Sequence, residues 1–240
     1  MIRFTRLIRN PFDHRGISAP ELSAYTTDHL QRMIASNPGG ILTARITATT
    51  STFGLFQDAF AEDFGSLGVR KASVQVKNNF RAALPAALEN LVFKIGGQYG
   101  AQSAQLTTCF PQGRTIITKA TDDHVKPHLD NLVTRLSTLT PAIQVGTLAE
   151  AEALRDTWVG VYNACEASTG TKTSTEAAKR NARFALATDL YLNLIEICRA
   201  WPREEEKITL YTRQSLLEDH PAGEDEEEDE DPAPPPTPEG

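Results

Sequence analysis

The chain is poor in the residues that announce chemistry. It has three cysteines in 240 residues, Cys109, Cys165 and Cys198, an odd set without CxxC spacing. That excludes a disulfide framework and a thiolate metal site of the usual spacing. Cys165 and Cys198 fall within helical patterns and are expected as reduced core residues. No run reaches the 18 apolar residues of a membrane span. The opening Met-Ile-Arg-Phe-Thr-Arg-Leu-Ile-Arg is broken by arginines and has no small-residue cleavage site, so no signal peptide is expected and the default location is cytoplasmic. No Glu has His three residues later, which removes the carboxylate-bridged di-metal centre of helical bundles. GxSxG, Walker A and dinucleotide glycine patterns are absent as well. Gly96-Gly97-Gln98-Tyr99-Gly100 follows a helical pattern instead of opening one, so it reads as a stop. The sequence therefore asks for no enzyme activity, no cofactor and no metal.

Excess positive charge is missing too. The formal net charge is −7, but Glu224 to Asp231 are eight consecutive acids and Glu239 is a ninth. Taking those nine from the 31 acids leaves 22 against 24 Lys and Arg, a nearly neutral body with an acidic appendix. Such a body lacks the basicity of a dedicated nucleic-acid binder. From residue 219 onward, clustered acids and the prolines between Pro232 and Pro238 predict a disordered tail. The tail reads as a solubilising extension, a lure for a basic partner, or a cover for a cationic face of the chain itself.

What the chain does have is internal similarity. Displaced by 102 residues, Phe56 to Thr108 lies over Trp158 to Leu210 without a gap, and ten of the 53 positions are identical. Ordinary residue usage gives roughly three. Ser66/Ser168, Lys77/Lys179, Asn79/Asn181, Arg81/Arg183, Leu84/Leu186 and Leu88/Leu190 are among the matches. The expected fold is all-α, a bundle of two tandem pseudo-symmetric three-helix repeats. The divisions are an extended arm over 1–19, a first repeat over 20–112, a second over 113–218 and the tail over 219–240. A hairpin of helices cannot cover its own apolar stripe, so the copies should pack about an approximate twofold axis.

Within this scheme a first helix covers about 21–36, stopped by Asn37-Pro38-Gly39-Gly40. A second runs over about 41–64 with the stripe Leu42, Ile46, Thr49, Phe53, Phe56, Phe60, ended by Gly65 and Gly68. A third, about 73–95, turns Leu84, Leu88, Leu91 and Ile95 to one side and contains Pro85, which should bend it. Arg114-Thr-Ile-Ile-Thr118 is the best short-strand candidate. A helix from Pro127 to about Leu139 follows, then one marked by Leu148, Trp158, Val161, Tyr162 and Cys165. Thr173 with Glu176 suggests a capping box opening a last helix to about Trp201, with Leu186, Leu190, Leu194 and Ile197 buried.

The sharpest candidate site is Lys-x-Asn-x-Arg near the start of each repeat's long helix: Lys77, Asn79, Arg81 and Lys179, Asn181, Arg183. Lys and Arg four apart share a helix face, and a twofold arrangement would gather four cations to bind phosphate, nucleic acid or an acidic segment. The plainer reading is that their stems cover apolar surface while their heads meet nearby acids. His124 and His128 have metal-ligand spacing but no third fixed ligand, so they read as surface residues. The sequence favours a non-enzymatic interaction or scaffold protein with a protein partner or self-association and no membrane. The alternative is a nucleic-acid- or phosphate-associated protein using the basic face.

Overall fold

The structure, a computed structural model, describes residues 10–217. The acidic run and the expected disordered tail lie outside the described residues, as do residues 1–9. Every element among the described residues is helical, and none is a strand. In chain order these are α1 (Ala19–Ala35), α2 (Thr43–Tyr99), α3 (Ala104–Cys109), α4 (Thr115–Thr118), α5 (Asp122–Ser137), α6 (Val145–Ala200) and α7 (Glu205–Tyr211). Short 3-10 turns occupy Pro38–Gly40 and Gln214–Leu216.

The start of α1 follows from local chemistry. Ser18 accepts a hydrogen bond from the Glu21 N–H at 3.3 Å, and the Glu21 carboxylate accepts one from the Ser18 N–H at 2.7 Å. This reciprocal capping box satisfies two donors that a helix start would leave orphaned. Residues 10–18 before it are turns, with Phe12 and Ile17 buried.

The expected separate helices merge. Residues 43–99 form one 57-residue helix and 145–200 one 56-residue helix. Gly65 and Gly68 do not stop α2, and Thr173 with Glu176 lies in the interior of α6 instead of capping it. A glycine inside a helix costs only about 1 kcal/mol relative to alanine, and contacts made on either side of it offset that. Termination comes later, at Gly100, whose φ of 102° suits glycine and whose N–H bonds the Gly96 carbonyl at 2.8 Å. The Arg114–Thr118 segment is also helical, as α4, with Ile117 buried. Burial of that isoleucine in the core overrides its β-propensity. Cys165 is buried as expected, whereas Cys198 is exposed.

The chain divides into two compact units, each taking part of both long helices. Of the described residues, unit 1 takes 10–60 with 178–217, and unit 2 is Ala61–Ala177. In unit 2, Leu84, Leu88, Leu91 and Ile95 of α2 pack with Val125, Leu129, Leu132 and Leu136 of α5 and with Trp158 of α6. In unit 1, Phe56 of α2 and Leu186 and Leu190 of α6 pack with Leu22 and Tyr25 of α1 and with Phe12. A smaller cluster there joins Met33, Leu42, Ile197 and Tyr211.

Candidate functional site

The predicted cations are each already engaged within their own unit. In unit 2, Lys77 Nζ lies 2.7 Å from Asp122. Burial opposes its charge, but the hydrogen bond and negative charge of Asp122 outweigh that, holding the ammonium above its ordinary value. Arg81 donates from Nη2 to the Ala120 carbonyl at 2.5 Å, with its guanidinium carbon 5.8 Å from the Trp158 ring centre. Asn79 is exposed and accepts from Gln75. In unit 1, Lys179 Nζ lies 5.9 Å from the Phe60 ring centre, Asn181 is exposed, and Arg183 donates to the carbonyls of Ile17 and His14 at 2.5 and 3.2 Å. The cations thus meet Asp122, a loop carbonyl and an aromatic face in unit 2, and loop carbonyls and an aromatic face in unit 1.

Sequence reasoning missed the polar contacts at the middle of the long helices. In unit 2, Lys172 donates to Asp63 at 2.7 Å, and the residues are only 8% and 5% exposed. Thr175 donates to the same carboxylate oxygen at 3.3 Å, and Glu176 lies 2.9 Å from Lys172. Burial disfavours the Lys172 charge, yet Asp63 and Glu176 together hold its ammonium above the ordinary value. Beside this ion pair, Ser66 and Thr175 hydroxyls are 2.7 Å apart and Ser73 and Ser168 hydroxyls 2.6 Å apart. The available signal was spacing: Asp63, Ser66, Arg70, Ser73 and Lys77 continue the alternating three- and four-residue rhythm with polar side chains.

Unit 1 contains a second buried polar network. Arg45 bonds Asp189 Oδ1 at 2.5 Å and Asn193 Oδ1 at 2.9 Å, and Thr49 bonds Asn193 as well. His29 Nδ1 lies 2.7 Å from the Tyr211 carbonyl, an acceptor only, so Nδ1 carries the proton. Its Nε2 then accepts from Asn193 Nδ2 at 3.2 Å. This network fixes His29 as a neutral donor–acceptor pair between α1, α6 and α7. Burial pushes its pKa below the ordinary 6.5, against smaller opposing effects of the Tyr211 carbonyl and Asp28. The unfolded chain therefore takes up a proton near pH 6.5 while the folded chain resists until lower pH. The resulting stability is full above 6.5 and is lost as pH falls below it. Urea midpoints on either side of pH 6.5 should drop more for the wild type than for His29→Gln. Equal slopes would show that the imidazole does not titrate in this way.

The outer face of α6 in unit 1 carries three exposed apolar side chains, with Thr188 between two of them and Arg199 one turn beyond the third. Phe184 is 60%, Leu192 40% and Ile195 44% exposed, on the side away from buried Leu186, Leu190 and Ile197. In unit 2, Phe93 of α2 is 78% exposed, with exposed Ala82 and Ala86 preceding it on the same face. No helix among the described residues is long and apolar enough to cross a membrane. None of their His, Cys, Asp and Glu side chains gather in threes as a metal site requires. No family model matches the chain, and neither the curated proteins nor the solved structures contain a significant match.

Proposed function

We propose that the chain is a non-enzymatic helical interaction protein that associates with a second copy of itself through the outer face of α6. The observation that carries this reading is the uncharged row of Phe184, Leu192 and Ile195 on a helix already packed on its other side. Exposed apolar faces of this kind mark contact surfaces. An apolar row needs no opposite charge in its partner, so an identical row suits it across a twofold axis. Phe184→Glu combined with Ile195→Glu should weaken self-association at least tenfold, given about 1.5–3 kcal/mol for each large apolar side chain removed from water. Light scattering coupled to gel filtration reads this directly. A wild-type chain that is monomeric at high concentration sinks the proposal.

The repeat belongs to the same reading. Two tandem copies of one helical unit would present related surfaces twice, and several placements support that origin. α2 and α6 begin 102 residues apart and differ by one residue in length, while α1 and α5 have 17 and 16 residues. The Ser66–Thr175 and Ser73–Ser168 hydrogen bonds exchange with one another under the same displacement. Phe93 and Ile195, both exposed, occupy matching positions. The phosphate- or nucleic-acid-binding alternative draws less support, because Lys77, Arg81 and Arg183 already hold an aspartate or loop carbonyls.

A further inference from the structure

Unit 1 holds a cavity of about 400 Å³ that neither its packing nor self-association uses. Phe12, Ile17, Leu194, Ile208 and Leu217 supply apolar walls, and Tyr25, His14, Thr212 and Gln214 supply polar points. The volume lies within the range of small-molecule sites, which combine apolar walls with a few placed polar groups. Tyr25 is 2% exposed, its ring packs against Phe12 at 5.2 Å and His29 at 5.6 Å, and among the described residues its hydroxyl has no hydrogen-bond partner. Burial, with a smaller effect of Asp28, pushes its pKa upward, so the hydroxyl keeps its proton and remains a donor.

His14 offers a second donor. Its Nδ1 accepts from the Gly16 N–H at 3.2 Å, which leaves the proton of the neutral ring on Nε2. The Thr212 hydroxyl is spent on the Ile208 carbonyl at 2.7 Å. Among the described residues no acidic side chain lines the cavity, and the Arg183 guanidinium holds the His14 and Ile17 carbonyls of the loop that forms its edge. Asp28, whose charge reaches Tyr25, is neutralised by Arg32 at 2.6 Å. The Tyr25 and His14 donors, the Gln214 amide at the rim, the Arg183 cation behind the loop and the greasy walls favour an anionic amphiphile. We propose that this cavity binds a small amphiphilic carboxylic acid, its alkyl chain against Leu194, Ile208 and Leu217 and its carboxylate on Tyr25 and His14.

The test is calorimetric titration of the full chain with decanoate and, separately, decanol. It is repeated with Phe184→Glu/Ile195→Glu in place, so that loss of self-association is not mistaken for loss of binding. Decanoate should bind saturably and at least tenfold more tightly than decanol. Tyr25→Phe, which removes only the hydroxyl, should weaken decanoate roughly tenfold, the value of a hydrogen bond to a charged group. Leu194→Trp, which fills the cavity, should abolish saturable binding while the melting temperature confirms folding. No saturable heat from decanoate, equal affinity for decanol, or unchanged affinity in Tyr25→Phe each overturns the proposal. So does a Leu194→Trp chain that folds and still binds. A large gain in affinity on deleting residues 1–9, which join the cavity wall at Pro11, would make that segment the occupant and overturn it as well.

Discussion

Trp158→Ala is expected to lower the unfolding free energy by about 3–5 kcal/mol, the usual loss for emptying a fully buried large aromatic site. Trp158 is 0% exposed and lies between Phe80 at 5.4 Å and Tyr162 at 5.8 Å, with the Arg81 guanidinium over its ring. Truncation removes the surface on which α2 and α6 meet in unit 2 and takes the Arg81 platform with it. The indole N–H is also buried with no partner among the described residues. Trp158→Phe should therefore cost less than half as much, because it keeps most of the volume and deletes an unsatisfied donor. Urea unfolding followed by far-ultraviolet circular dichroism orders the three proteins. If alanine and phenylalanine prove equally damaging, void volume is not what governs this site.

The second large effect concerns the Asp63–Lys172 ion pair. Asp63→Ala should cost about 3 kcal/mol, since a buried ammonium is left without its closest counter-ion. Glu176, with a side chain 55% exposed, compensates only in part. Asp63→Leu with Lys172→Met should recover most of that loss, because two apolar groups of similar size need no desolvation. Double-mutant analysis of the midpoints isolates the coupling. A double variant as unstable as Asp63→Ala alone would mean that the backbone approach at this point, and not the charge, sets the cost.

Much of the architecture was legible. Leu84, Leu88, Leu91 and Ile95, with Leu186, Leu190 and Ile197, are buried as their spacing implied. The break after Asn37 is real as well. What escaped reading was continuity. Between Phe56 and Leu84 the inward stripe changes from phenylalanine and leucine to aspartate, serine and lysine, and a pattern reader that follows apolar residues sees a loop there. Gly65 and Gly68 reinforced that impression, although both face open space where a side chain would meet nothing within 4 Å. The helix persists because its polar stripe finds hydroxyl and ammonium partners far away in sequence. Propensity weighs only neighbours along the chain.

The cationic residues illustrate the same boundary. Lys77 and Arg81 do share a helix face, as four-residue spacing demands, but spacing could not reveal that Asp122 and the Ala120 carbonyl sit opposite them. His29, Asn193 and Tyr25 carried no signal at all. A single histidine or tyrosine on an apolar helix face gains meaning only when the acceptor beside it, or the lack of one, becomes visible.

The hydroxyl and carboxylate contacts between α2 and α6 in unit 2 also act as a vernier. Two leucine-lined helices can slide by seven residues and still bury much the same oil. Here a slip one way would set Asp63 against Cys165 and Ser73 against Val161, and a slip the other way would face Ser66 with Ala182. Each mismatch strands a buried polar atom at about 1–3 kcal/mol. The hairpin therefore has one setting in which every notch engages, and its alignment is chosen by the least greasy stretch of its length.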